Sequence, residues 1–381
     1  MSGYNNKPTM AYDNSGFDRG NDYYDNFAGG RLHVKRGASR QLGPVARVLV
    51  PLTIMSIEVF ERMAYFTIAG GILHYSVLNL GYNMHSGGIL FLALFSGGAY
   101  LTAPLGGYIA DAFLGRFYTI LTSAFIYIAG LAVLIAGSFD SSKLNLDTFE
   151  LGQRNIMAIA GLSLVALATG GIKANVGPFG ADQICSLGDG TVTSYFNWYY
   201  FVINLGSASA VMGVSHLQSE MFMGSGLMVP LCGMAVALLV FAGMHKVYLK
   251  YRPERYNMCK IMCQGCSKCT YEGICCAGSM ERFGGTYSEQ VVIGFSSALK
   301  AALLAIFLTF VWIGISMFVF ITPYQSMRMD RYVGSLEVPE YVYKAFPRLA
   351  VLLAIPLLAL AILPLFSYRG KFSLTMPRMI G

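Results

Sequence analysis

Glu58, Glu61, Arg62 and Tyr65 concentrate more chemistry in less sequence than any other part of this chain. They lie within Glu58-Val59-Phe60-Glu61-Arg62-Met63-Ala64-Tyr65, inside an otherwise apolar run. On a helix, positions i, i+3, i+4 and i+7 fall on or beside one face. Charges at membrane depth are costly and persist where they pair or line a wet cavity. The expected chemistry is a substrate or ion pathway, with Glu58 and Glu61 as proton carriers.

A second charge stands in Thr169-Gly170-Gly171-Ile172-Lys173-Ala174-Asn175. An isolated lysine there tends to lose its proton on desolvation. A carboxylate partner, Glu58 or Glu61, would keep it charged, and that pairing is the preferred expectation. The alternative is a lysine snorkelling from near a helix end. Asn204, in Ile203-Asn204-Leu205-Gly206, is an amide that could hold a substrate backbone or bridge helices.

Several apolar runs must position these groups. The chain has 381 residues, 55% hydrophobic and 12% charged, about half the charged fraction of a soluble domain. A membrane crossing needs ~20 apolar residues, and eight segments qualify: 48–79, 86–111, 116–138, 154–178, 195–214, 225–248, 298–325 and 346–366. The fold class is therefore an all-α polytopic membrane protein. Lipid tolerates only structures that satisfy their own backbone groups, and the strands of a barrel would alternate. The domains expected are a disordered cytosolic tail over 1–45, a six-helix bundle over 46–249, a cysteine-rich cytosolic linker over 250–297, and a partial second bundle over 298–381. Residues 1–40 lack the apolar core of a signal peptide.

The formal charge is +7, but the positives cluster in tails and loops. Arg31, Lys35, Arg36, Arg40 and Arg47 precede the first span, and Lys246, Lys250, Arg252, Arg255, Lys260, Lys268 and Arg282 follow the sixth. This asymmetry puts both segments, and the N-terminus, on the cytosolic side. It also argues against nucleic acid as a partner. The partners expected are the lipid bilayer and a small peptide or amino-acid substrate.

Five blocks resemble, in order, the proton-coupled oligopeptide transporter family of the major facilitator superfamily. They are Glu58-x-x-Glu61-Arg62 with Tyr65; Gly106-Gly107-x-x-Ala110-Asp111 with Gly115-Arg116; Gly170-Gly171-Ile172-Lys173-x-Asn175; Phe179-Gly180-Ala181-Asp182-Gln183; and Asn197-Trp198-Tyr199-Tyr200 with Ile203-Asn204-x-Gly206. They cover roughly residues 45–215, with weaker likeness at Pro323-Tyr324-Gln325 and Met376–Gly381. The animal peptide/histidine branch is nearest. The resemblance implies a major facilitator fold, with a complete N-terminal bundle and the first two helices of the C-terminal one. It implies Glu58 and Glu61 as proton-coupling carboxylates, Arg62 and Lys173 as basic residues that pair with them and face the substrate's carboxylate end, and Tyr65, Tyr100 and Asn204 as peptide contacts. It implies that Asp111 and Arg116, and with them Asp182, form a conformational latch rather than a substrate site. The activity implied is symport of di- and tripeptides, with histidine as a further substrate, by alternating access. No cofactor is expected, protons being the coupling ion, and the chain is not expected to be an enzyme. Endosome, lysosome or plasma membrane is the implied location.

The departures are Phe66, Thr67, Ala69 and Ala93 where relatives carry tyrosine, glycine, arginine and histidine. An acid near Pro323 is missing, and helices 9 to 12 are not seen. The chain is therefore expected to stop before helix 9. Alternative readings are a shortened scaffold without transport, or a relative carrying another anionic or amino-acid solute. Cys259, Cys263, Cys266, Cys269, Cys275 and Cys276 crowd one stretch. Free or palmitoylated thiols are expected, with Cys263, Cys266, Cys269 and Cys275 as weak metal candidates only.

Overall fold

A computed structural model describes residues 23–24, 35–36, 44–83, 87–138, 149–214, 223–251, 253, 301–314, 317, 325, 329–330, 332–334, 336–337 and 340–357. Six long helices come first. They are α1 (Pro44–Leu78), α2 (Ile89–Ile109, prolonged by a wide π turn Ala110–Leu114), α3 (Arg116–Gly137), α4 (Leu151–Ile184), α5 (Asp189–Ser209, with a π turn Ala210–Val214) and α6 (Met223–Gly243). An apolar helix α7 (Ala301–Gly314) and α8 (Glu340–Leu357) follow. Two short antiparallel ladders, Tyr23–Tyr24 with Lys35–Arg36 and Tyr332–Val333 with Leu336–Glu337, complete the described elements.

α4 packs on α2 and α3, α1 packs on α4, α5 and α6, α3 packs on α6, and α8 rests on α5. Four described segments are long and apolar enough to cross a membrane: Ile89–Leu114, Arg116–Gly137, Leu151–Leu187 and Gly224–Lys246. α1 and α5 are long enough, but they carry the charged and amide residues that line the site. The core runs through Ile54, Ile57, Ile68, Ile120, Leu131, Val165 and Ile172. This is an integral, multi-pass membrane protein, helical among the described residues apart from those two short ladders.

Close backbone approach explains the small residues. A Cβ on Gly106 would sit 2.6 Å from both Gly170 O and Gly171 Cα, so α2 meets α4 where neither has a side chain. Asn175 Nδ2 donates to Gly106 O across the same contact, at 3.2 Å. The α2–α3 junction turns at Gly115, whose φ of 79° is open to glycine.

The helix ends differ from the sequence expectation in a consistent way. α4 runs on through Pro178 to Ile184, six residues past the expected stop at 178. An internal proline costs ~3 kcal/mol, and the packing of Phe179 on Phe117, Phe241 and Tyr248 offsets it. α5 begins at Asp189, not 195, because Gly188 (φ 103°) turns the chain straight into a polar first turn that hydropathy does not register. α8 starts at Glu340 rather than 346. Most of 315–324, the expected end of the last span beyond 357, the C-terminal motif from Met376 and almost all of the cysteine-rich linker lie outside the described residues.

Candidate functional site

α1 carries the charge cluster at its middle. Glu58 is 1% exposed, Glu61 0% and Arg62 4%. Arg62 Nη2 donates to Glu61 Oε1 at 2.7 Å, and Arg62 Nε donates to Glu61 Oε2 in a very close contact. The guanidinium fork therefore grips Glu61 with both arms. Nε also lies 3.3 Å from Glu58 Oε1. Spacing put Glu58 on the same helix face as Arg62, and the family resemblance implied that Arg62 pairs with the two carboxylates. Neither foresaw that the adjacent residue would be the tighter one, since neighbours on a helix normally diverge.

The two carboxylates are not equivalent. Both Glu61 oxygens are occupied, and the Tyr127 hydroxyl on α3 donates to its backbone carbonyl at 3.1 Å. Glu58 Oε2 is buried without a hydrogen-bond partner. The group beside it is the Tyr199 hydroxyl of α5, which interacts with the carboxylate without reaching full hydrogen-bond geometry.

Lys173 corrects the preferred expectation. It forms no ion pair with Glu58 or Glu61; its ammonium stands 3.4 Å from the centroid of the Tyr100 ring on α2. The physical reason is competition: Arg62 takes both oxygens of Glu61 and one of Glu58, and it lies close enough to repel a second cation. A cation over a tyrosine face gains ~0.5–2 kcal/mol, more when desolvated. Tyr65 does join the cluster, with Arg62 Cζ 4.9 Å from its ring centroid and Phe95 stacked on it at 5.3 Å. Asn204 donates within its own helix, to Tyr200 O at 2.8 Å, and so bridges no helices in this state.

The Asp111, Arg116 and Asp182 group assembles at one end of the bundle. Arg116 Nη1 lies 2.5 Å from Asp182 Oδ2, and Arg116 Nε lies 3.8 Å from Asp111 Oδ1. Beside it is a contact that the sequence did not disclose. Gln183 takes both backbone groups of Leu249, donating to its carbonyl at 3.0 Å and accepting from its N–H at 2.8 Å. Lys250 caps Phe117 at 4.0 Å, and the Tyr248 hydroxyl bonds Thr53 at 2.8 Å. Burial pushes the Tyr248 phenol up to about 12, so it stays neutral and holds that bond. The chain leaving α6 is thus strapped over the ends of α1, α3 and α4. The metal candidates Cys263, Cys266, Cys269 and Cys275 lie outside the described residues.

Tyr127 and Tyr195 were assigned no part by the sequence, and Tyr199 and Gln183 stood in motif blocks without a role of their own. The i,i+4 spacing of Tyr195 and Tyr199 was the one available signal. Tyr127 had none, being one aromatic in an apolar helix.

These features define a polytopic helical bundle with a buried ion cluster. Comparison with known proteins agrees. Residues 117–281 match the model of the POT family. Protein NRT1/ PTR FAMILY 5.14 of Arabidopsis thaliana is 32% identical over 228 residues, 58% of this chain and 40% of its own length. Solute carrier family 15 member 3 of Rattus norvegicus is 29% identical over 211 residues, 50% of this chain and 36% of its own. The chain therefore spans about two fifths of the length of these curated relatives. The structure of the POT family transporter PepTSo superposes with a TM-score of 0.61 at 22% identity, covering 85% of this chain and 71% of that one. The fold is shared with that structure, and residues 117–281 carry the likeness to the POT family.

Proposed function

We propose that the chain provides the proton-binding and part of the substrate-binding apparatus of a proton-coupled symporter for di- and tripeptides, in a membrane with the Arg116 end cytosolic. The observation that carries this is the charge arithmetic of the buried cluster. Glu58 and Glu61 share one guanidinium. The three groups are neutral when one carboxyl holds a proton and singly negative when neither does. Loss or gain of one proton therefore changes the cost of closing the site to water, which biases one conformation against another. Glu58 is the group with a lone pair to spare, so it is assigned as the carrier. Glu61 is the fixed counter-ion of Arg62.

Lys173, Tyr100 and Tyr65 line the same region from α4, α2 and α1. Lys173 is held by a ring rather than a carboxylate, so an incoming peptide carboxylate can claim it without first breaking an ion pair. Asn204 contributes an amide from α5. The POT family is one of secondary transporters, which supports this reading over an enzymatic one. The alternative substrates are histidine, another amino acid or a small anionic solute.

The test is uptake into proteoliposomes. A labelled dipeptide, labelled histidine and labelled nitrate are offered separately under an inward proton gradient. Dipeptide accumulation that collapses when the gradient is dissipated is the expected result. Absence of gradient-driven dipeptide uptake, or accumulation of nitrate alone, would overturn the peptide assignment.

A further inference from the structure

Two buried polar groups left over by the cluster flank a single tyrosine. Glu58 Oε2 has no partner, and neither does the hydroxyl of Tyr195, which is 4% exposed. Between them is Tyr199, beside the Glu58 carboxylate, with its ring stacked on Tyr195 at 6.0 Å and 21°. The two tyrosines are one turn apart on α5, about 6 Å along the axis. Tyr195 packs with Met55 of α1 and Ile184 of α4. Its hydroxyl abuts Gly180, two residues before Asp182. Tyr195 feels both Glu58 and Asp182 electrostatically. Buried phenols without partners are rare, because an unsatisfied hydroxyl costs ~1–3 kcal/mol. Packing alone would be served as well by phenylalanine.

The geometry points to Tyr199 and Tyr195 as the hydroxyl relay that carries the proton between Glu58 and the Asp182 end of the bundle. This rests on the assignment of Glu58 as proton carrier. Discharge proceeds as a concerted shift. The Glu58 carboxyl gives its proton to the Tyr199 oxygen as Tyr199 releases its own towards Tyr195. Tyr195 passes one on towards the Asp182 carboxylate or solvent at that end. Each phenol accepts one proton and loses one, so both end neutral and only Glu58 and the final acceptor change charge. Rotation of the two phenol O–H bonds resets the line.

The ionisable groups around the route are accounted for. Glu58 is faced by Glu61 and Arg62 on α1, Lys173 on α4 and Tyr199 on α5, with Tyr127 of α3 close by. Asp182 is faced by Arg116 and Asp111. α6 (Met223–Gly243) contains no Asp, Glu, Lys, Arg, His or Tyr. Arg348 of α8 stands over Phe66, eight residues and about 12 Å along α1 from Glu58. No basic side chain interrupts the line among the described residues that face it.

The test is a pH-jump infrared measurement on the membrane-reconstituted chain, reading the Glu58 carboxyl band, which is identified by its loss in Glu58→Gln. Tyr195→Phe and Tyr199→Phe keep the ring stack and delete one hydroxyl each. Each should slow the response of that band by about tenfold or more, the effect of losing one link worth ~1.4 kcal/mol at the barrier. Tyr195→Phe should leave the midpoint unchanged, since that hydroxyl does not touch the carboxylate. Rates within threefold of the unsubstituted chain in both variants would overturn the relay and leave Glu58 as carrier. A Glu58 band that never responds to pH would overturn the carrier assignment and the relay together. The variants are independent, so one that fails to fold leaves the other to decide.

Discussion

Replacing Arg62 by alanine should be among the most destabilising single changes available to this chain. The guanidinium is 4% exposed and serves two carboxylates that are 1% and 0% exposed. It makes two hydrogen bonds to Glu61 and an ion pair to Glu58. Removing one partner of a buried pair costs ~3–5 kcal/mol, because the remaining charge is stranded. Two carboxylates are stranded here, so the upper end of that range is expected, together with loss of the Tyr65 cation–π contact. Glu61→Gln in the Arg62→Ala background removes one stranded charge and should restore about 2 kcal/mol, within the coupling found between residues in direct contact. The assay is a double-mutant cycle on SDS-induced unfolding in mixed micelles, with near-UV circular dichroism as the probe. An Arg62→Ala cost below about 1 kcal/mol, or a cycle that closes additively, would refute the reasoning.

Three further outcomes are expected. Glu58→Gln and Lys173→Ala should each abolish gradient-driven uptake yet retain counterflow exchange, measured in the same vesicles; unchanged driven uptake in both would show the coupling site misplaced. Gly106→Leu should cost at least the ~1–3 kcal/mol of an overpacked core, since its Cβ alone would lie 2.6 Å from α4 backbone that cannot move aside, read as a lowered unfolding midpoint beside an unaffected Gly152→Ala, which meets nothing. Arg116→Ala and Gln183→Ala should both open the Arg116 end, raising thiol-reagent labelling of a cysteine placed at Thr53 by about fivefold for a loss of ~1 kcal/mol from a part-exposed contact; equal labelling would show that neither contact holds that end closed.

The motif blocks made the helical bundle and the location of its chemistry legible. The charges of α1 announce themselves because an apolar helix has no other use for them, and the spacing of Glu58, Arg62 and Tyr65 gave a shared face. Asp111, Arg116 and Asp182 were likewise readable as one group. What could not be read was how the groups divide one another. Both Glu61 oxygens go to Arg62, so Lys173 turns to Tyr100, and that follows from three-dimensional competition rather than spacing. α4 overrides Pro178 because distant aromatics from α3 and α6 pack on Phe179, and a local rule has no view of them. Tyr195 and Tyr199 looked like ordinary aromatics until their hydroxyls proved buried beside a carboxylate.

The most direct test of the central claim is internal pH. Vesicles holding a trapped pH indicator, reconstituted with the chain and given dipeptide outside, should acidify as peptide enters. Glu58→Gln should admit peptide by exchange with no acidification. Acidification that persists in Glu58→Gln, or peptide accumulation by the unsubstituted chain with no proton entering, would contradict the assignment of this cluster as the place where proton and substrate are coupled.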